Sequence, residues 1–304
     1  MSNNELKFHA EVKWSNRPTQ FARSCLQLIK SESRVLIFVW ALLAAYLIAS
    51  DLHPDIYRLA LLLSSGYLLS LGIYVLNGVM DLEEDRINSP DRPLASGAVR
   101  IEYAKIFLVL SISSSFLIGL FISLTTVALY GIVVFLGISY SIPRINAKKR
   151  FPHKMVVAAS GSAVFSLTGG VAAQNLNPTI FFAAVSFALF AMVTLLLGDI
   201  ADLRGDKSAG VRSLPLVIGP KKSVWFIIAI PMILCALGVM LFRFVNLNIL
   251  FLLLLVALST YSSLTTKTLL GNYDDIKVCR KVKSRMRIIH FILQFAFIVG
   301  LIAL

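Results

Sequence analysis

Asn77, Asp81 and Asp85 stand at i, i+4 and i+8, and Asp202 and Asp206 at i and i+4, with Asp199 three residues ahead. On a helix that spacing stacks the side chains on one face, one turn above another. Like charges so placed repel, and a bound divalent cation relieves the repulsion. The donors are oxygens, with no histidine or thiolate among them. Such a set suits a hard ion like Mg2+, which is held by a few carboxylates together with substrate phosphates. Two such faces meeting across a cavity would form a diphosphate site. Arg86, Arg92, Arg204, Lys207 and Arg212 lie near enough in sequence to add charge-assisted hydrogen bonds to phosphate oxygens.

Either cluster alone reads as ordinary solvated loop charge. Their repetition outweighs that reading, because a shift of 121 residues places Asp81 on Asp202 and Asp85 on Asp206, and a shift of 120 places Arg92 on Arg212. Half of the sixteen acids fall in these two stretches. The pattern predicts two similar halves, about 34–150 and 151–270, followed by a last helix over 288–304, with the polar site at their junction.

The elements that must carry these residues are membrane helices. Of 304 residues 57% are apolar and only 15% charged, with a mean hydropathy of +0.80. A soluble chain would carry about 25% charged residues, so a water-soluble protein is excluded. Apolar runs at 35–50, 56–76, 104–124, 125–142, 155–173, 180–197, 223–241, 247–264 and 288–304 predict about nine spans in one all-α polytopic bundle, residues 34–304, behind a polar tail, residues 1–33. The tail has no short apolar segment before a small-residue cleavage site, so no signal peptide is expected.

The net charge of +13 sorts by side. With the N-terminus inside, 27 of the 29 lysines and arginines fall in the tail and the loops of one face, leaving Arg58 and Arg243 for the other. That asymmetry predicts a cytoplasmic N-terminus and cytoplasmic Asp-rich loops, with the C-terminus opposite. The basic balance is thereby a topology signal with the lipid bilayer as partner, and no nucleic acid is needed to explain it. Cys25, Cys235 and Cys279 are too far apart for a metal motif and read as incidental.

These residues resemble the UbiA superfamily of intramembrane prenyltransferases. Asn77, Asp81 and Asp85 match its NDxxDxxxD motif, and Asp202 and Asp206, with Asp199 in front, match its DxxxD motif. The stretch from Arg86 to Gly97, the stretch from Gly205 to Pro215 and the segment Tyr140-Ser141-Ile142-Pro143 with Lys148 are similar to its further motifs. The chain departs at Gly78, where the family often has an acid, and at Arg144, where a proline is common.

The resemblance implies a bundle of nine helices around a central cavity, capped by cytoplasmic Asp-rich loops. It further implies Mg2+-dependent ionisation of an isoprenyl diphosphate and transfer of the chain to a hydrophobic, aromatic or lipid acceptor. Carried over residue by residue, it assigns Asn77, Asp81, Asp85, Asp199, Asp202 and Asp206 to Mg2+ and the diphosphate. Arg92, Lys148, Lys30 and Arg212 would contact the donor, and Tyr140 and Ser141 would stand near the reacting carbon or the acceptor. A membrane terpene cyclase shares the ionising machinery, and a repeat-built transporter also explains duplicated acids. The compact DG and AR motif of a CDP-alcohol phosphotransferase is absent.

Other features read more plainly. His290 suits a hydrogen-bonded core histidine. Phe181, Phe182, Phe187 and Phe190 suit lipid-facing packing, and Gly161, Gly169 and Gly170 suit close helix approach. The basic stretch 265–287 reads as a cytoplasmic linker, with Asp274 and Asp275 solvated.

Overall fold

The computed structural model describes residues 17–32, 35–142, 145–208 and 210–302. Lys7 and Lys13 of the tail, Arg34 at the first domain boundary, Pro143 and Arg144, Ala209 and the last two residues lie outside the described residues.

Among the described residues the regular structure is helical, apart from one isolated backbone bridge. In chain order the helices are α1 (Arg17–Ser31), α2 (Val35–Ala49), α3 (Ile56–Met80), α4 (Leu82–Asn88), α5 (Ile101–Leu120), α6 (Leu124–Ser141) and α7 (His153–Ala172). There follow α8 (Pro178–Ala201), α9 (Leu203–Ser208), α10 (Leu214–Ile218), α11 (Pro220–Leu241), α12 (Ile249–Lys267) and α13 (Ile276–Gly300).

Several of the long helices begin where a polar side chain satisfies an orphan backbone donor. Ser123 accepts from the Thr126 N–H at 3.0 Å, Asn177 from Ile180 at 3.0 Å with Pro178 in the first turn, and Asn248 from Phe251 at 3.2 Å. The Ser123 cap divides the continuous apolar stretch 104–142 into two helices. Asp275 is also a cap, accepting from the N–H groups of Lys277 and Val278. It starts α13 twelve residues before the expected 288, so the second half of the supposed linker 265–287 is helix.

Nine helices among the described residues, α2, α3, α5 to α8 and α11 to α13, build one bundle. Seven of them, α3, α5 to α8, α11 and α12 with its 3-10 extension, are long and apolar enough to cross a membrane. α2 reaches that length only when counted with α1, and the first three turns of α13 are basic. Val109, Leu117, Phe135, Met232 and Leu253 face outward and are exposed, as befits helices whose solvent on that side is hydrocarbon. α8 is the most deeply buried of the seven. Phe182, Phe187 and Phe190 pack inside the core, with Phe187 and Phe182 against Phe297 of α13. Of the four phenylalanines expected at lipid only Phe181 is exposed.

Candidate active site

α3 and α8 end alike. Each is interrupted at an aspartate whose backbone leaves helical geometry, Asp81 at φ −97°, ψ 8° and Asp202 at φ −100°, ψ 10°. The hydrogen bonding nevertheless continues through both breaks. Asp81 N–H donates to Asn77 and Asp202 N–H to Gly198, both at 2.9 Å, while Asp85 and Asp206 donate to Asp81 and Asp202 at 2.7 and 2.8 Å. The short helices α4 and α9 then carry the next acid of each cluster. The expected single face is thus kept across a kink, with an Asp at each corner.

The segment between α6 and α7 reaches both clusters. Asn146, in the left-handed region at φ +46°, turns the chain into a 3-10 turn, Ala147–Lys149. Lys148 pairs there with Asp81 and lies 3.5 Å from Glu84, and Lys149 pairs with Glu84. Two bonds further on stitch this segment to the loop after α9: Arg212 N–H donates to the Lys149 carbonyl at 3.0 Å, and Phe151 N–H to the Arg212 carbonyl at 2.8 Å. In the first turn of α7, Lys154 pairs with Asp199. In the first cluster Arg92 donates to Asp85 at 2.6 Å.

Burial sets the electrostatics of this cap. It raises Asp81 above the ordinary carboxylate value; Lys148 opposes the shift, and Glu84 and Asp85 add to it. Burial likewise raises Asp206, with Ser213 and Lys154 opposing and Asp202 reinforcing. In Glu84 burial also pulls upward, but the Lys149 hydrogen bond and the charges of Lys148 and Lys149 outweigh it and hold the group below its usual value.

Beneath the cap lies a cavity of about 590 Å3. Asn77, Tyr140, Ser141, Asp199 and Asp202 line its ionic end, where Ser141 Oγ donates to Asn77 Oδ1 at 3.1 Å. Its body is apolar and aromatic, with Phe38 ringed by Tyr74 at 6.2 Å and Phe165 at 5.4 Å between centroids. Asp81, Asp85, Asp206, Arg92 and Lys148 belong to the cap rather than to the wall. Lys30 is exposed in the last turn of α1, and the side chain of Arg212 is exposed while its backbone makes the bridge. Of four further wall residues, Lys154, Lys283, Arg287 and His290, only His290 had been singled out in the sequence, as a core histidine. The first three had been absorbed into the topology count. The signal that could have found the α13 group was the i, i+4, i+7 spacing of Lys283, Arg287 and His290.

The donors present fit a hard divalent cation. Among the described residues no three acidic, histidine or cysteine side chains converge on one point, but Mg2+ is characteristically held by one or two carboxylates with phosphates and water supplying the rest. One oxygen of Asp206, Oδ2, is buried without a hydrogen-bond partner. Lysine ammonium groups neutralise Asp81 and Asp199, so these carboxylates are already placed to balance cationic charge.

A cavity inside a membrane bundle, ionic at one end beneath acidic clusters and apolar along its body, is the setting of a membrane-embedded enzyme. The chain belongs to the UbiA prenyltransferase family, whose profile matches residues 38–290. It is 29% identical over 289 residues to the digeranylgeranylglyceryl phosphate synthase of Methanocaldococcus jannaschii, covering 93% of this chain and 97% of that one. It is 27% identical to the enzyme of the same name from Sulfolobus acidocaldarius, covering 88% and 93%. A solved structure described as a digeranylgeranylglyceryl phosphate synthase superposes with a TM-score of 0.77 at 26% identity, covering 94% of this chain and all of the other. A UbiA homologue from Archaeoglobus fulgidus, solved with GPP and Mg2+, shares the fold at a TM-score of 0.71 and 15% identity, over 90% of this chain and 99% of that one. The chain is an integral, multi-pass membrane prenyltransferase, and the transporter alternative falls away.

Proposed function

We propose that the chain moves a geranylgeranyl group from its diphosphate to the glyceryl hydroxyl of a lipid phosphate that already carries one such chain. The observation that carries this reading is the cavity, apolar along its body and ionic at one end. The relatives named digeranylgeranylglyceryl phosphate synthase supply the acceptor class.

In this reading Asn77, Asp81, Asp85, Asp199, Asp202 and Asp206 hold Mg2+ and the donor diphosphate. Mg2+, when bound, neutralises negative charge growing on the leaving group. Lys148 and Arg92 turn from their carboxylates to the diphosphate oxygens, and Tyr140 and Ser141 position the reacting carbon. The allylic C1–O bond breaks and its electron pair leaves with pyrophosphate; a lone pair of the acceptor hydroxyl oxygen forms the new C–O ether bond, and the hydroxyl proton passes to the released pyrophosphate. Phe38, Tyr74 and Phe165 exclude water and present ring faces to the developing carbocation. Lys30 and Arg212, placed beside the donor by the resemblance, have exposed side chains and do not line the cavity.

The clusters are read as lying on the cytoplasmic side, supported by the distribution of basic residues. The halves about 34–150 and 151–270 are read as a duplication, supported by the like kinks at Asp81 and Asp202. The purified protein, given Mg2+ and geranylgeranyl diphosphate with or without geranylgeranylglyceryl phosphate, tests the reading by mass spectrometry. The doubly alkylated ether lipid is the expected product. A terpene hydrocarbon formed equally well without acceptor overturns it in favour of a cyclase.

A further inference from the structure

Lys283, Arg287 and His290 fall at i, i+4 and i+7 of α13, and all three line the cavity. The spacing puts them on one helical face. None takes part in the ionic contacts of the cap. Among the described residues neither Lys283 nor Arg287 has a carboxylate within ion-pair distance, whereas Lys148, Lys154 and Arg92 each do. His290 is 1% exposed and its Nε2 has no hydrogen-bond partner. A buried polar atom left unpaired costs free energy, and here it borders a cavity a ligand can fill.

Gly198 completes the arrangement. A Cβ built there would come within 2.7 Å of the Lys283 Nζ, so the bare backbone of α8 leaves room for the ammonium group where it lies. In the superposition of the two acid clusters this glycine stands opposite Asn77, so the second half offers a lysine from α13 where the first offers an amide.

We infer that this face of α13 is a second anion subsite, separate from the Asp-rich cap, in which Lys283 and Arg287 bind the phosphomonoester of the acceptor and His290 Nε2 meets its glyceryl hydroxyl. The cap pairs acids with cations, as a metal-bridged diphosphate requires. The α13 face offers cations with no carboxylate in ion-pair contact, Asp202 and Asp199 of α8 acting on Lys283 only through space, as a bare phosphomonoester requires. The dimensions agree, since three residues of helix rise about 4.5 Å, one glycerol carbon or two beyond a phosphate held at Arg287. The inference rests on the phosphorylated acceptor proposed above and names the residues that recognise it.

The test is steady-state kinetics of the full-length protein with geranylgeranyl diphosphate as donor and either geranylgeranylglyceryl phosphate or its dephosphorylated glycerol as acceptor. Arg287→Gln and Lys283→Gln are expected to raise KM for the phosphorylated acceptor by about tenfold or more. The donor KM should stay within about twofold, and the preference for the phosphorylated over the dephosphorylated acceptor should shrink by the same factor. Gly198→Ala keeps every charge and introduces a better helix former; it should raise the acceptor KM alone by displacing Lys283. Wild-type transfer with no KM change in the variants overturns the subsite and leaves the prenyltransfer reading standing. A rise in donor KM instead assigns α13 to the diphosphate and also overturns it. If the wild type transfers nothing to the phosphorylated acceptor, both readings fall.

Discussion

The kink at Asp81 and the kink at Asp202 share backbone angles and hydrogen bonds, yet the two acid clusters live in different surroundings. In the first, Asp81 and Asp85 are each 13% exposed and the cluster is held by partners on the cap: Lys148 and Lys149 from the 3-10 turn, Arg92 seven residues along from Asp85. The second reaches into the cavity, where Asp199 is 3% exposed and paired with Lys154, and where Lys283 and Arg287 approach from α13. Equal spacing in sequence therefore yields unequal roles. The first cluster is a roof of paired charges over the cavity, and the second divides, with Asp199 fixed in the wall by packing and Asp202 open to solvent.

If both clusters serve one metal-diphosphate centre, removing either should be equally damaging. Asp81→Asn and Asp202→Asn should each lower kcat/KM for pyrophosphate release by about 10³-fold, and the double variant should fall little further, because groups acting as a unit are not additive. Additive losses would mean two independent sites. Stability should separate the clusters instead. Lys154→Met leaves the Asp199 carboxylate buried and unpaired, and should cost about 3 kcal/mol in detergent unfolding. Arg92→Met, breaking a pair that water reaches, should cost about 1 kcal/mol. Equal costs would erase the distinction between roof and wall.

Acidity provides a subtler contrast. Asp81 and Asp206, one from each cluster, are raised above the ordinary value of 3.8. A carboxyl raised in the folded state holds its proton longer than in the unfolded chain, so its contribution to stability is present at low pH and is lost as pH rises through the folded value. The ionised form is the one that takes a metal, so stabilisation by added Mg2+ should grow over that same window, by an amount of order 1 kcal/mol per group. Thermal unfolding with and without Mg2+ across pH reads both slopes. In Asp81→Asn the Mg2+ slope should diminish but persist through Asp206. The smallest effect belongs to Glu84, whose lowered value makes its contribution present above the unfolded value and lost as pH falls through the folded one. It is 47% exposed, so Glu84→Gln should cost less than about 1 kcal/mol and leave acceptor KM unchanged.

The clusters were legible in the sequence because carboxylates are rare among apolar spans and their spacing is local. The bundle was legible because hydropathy is a sum over many residues. The basic wall of the cavity was not, for a physical reason: lysines and arginines serve membrane orientation, phosphate binding and ion pairing with the same chemistry, and only packing separates those uses. Lys154 and Lys283 entered the count of inside charges beside the solvent-facing Lys221. His290, expected to be satisfied in the core, borders the cavity with an unpaired nitrogen, since partners contributed by other helices leave no trace in local spacing. Conversely, Arg212, placed by its motif, and Lys30, assigned to the donor with no motif of its own, carry exposed side chains. Of the three span-five glycines, Gly169 and Gly170 have neighbours within van der Waals reach of an added Cβ and Gly161 has none within 4 Å, a difference that periodicity alone does not carry.

Below the aromatic pair Phe38 and Phe165, α2 and α7 touch through backbone: a Cβ on Gly169 would come within 2.8 Å of the Leu42 carbonyl oxygen and 2.7 Å of the Ala45 Cβ. Main chain therefore meets main chain one helical turn beyond Phe38 and Phe165, the last residues that α2 and α7 give to the cavity wall. Shortening the pocket requires only a larger residue at Phe38 or its neighbours, whereas deepening it past Gly169 requires two helices to part. Under random substitution such a measuring rod drifts easily toward shorter chains and only with difficulty toward longer ones, so descendants of this protein have an asymmetric range of donor lengths open to them.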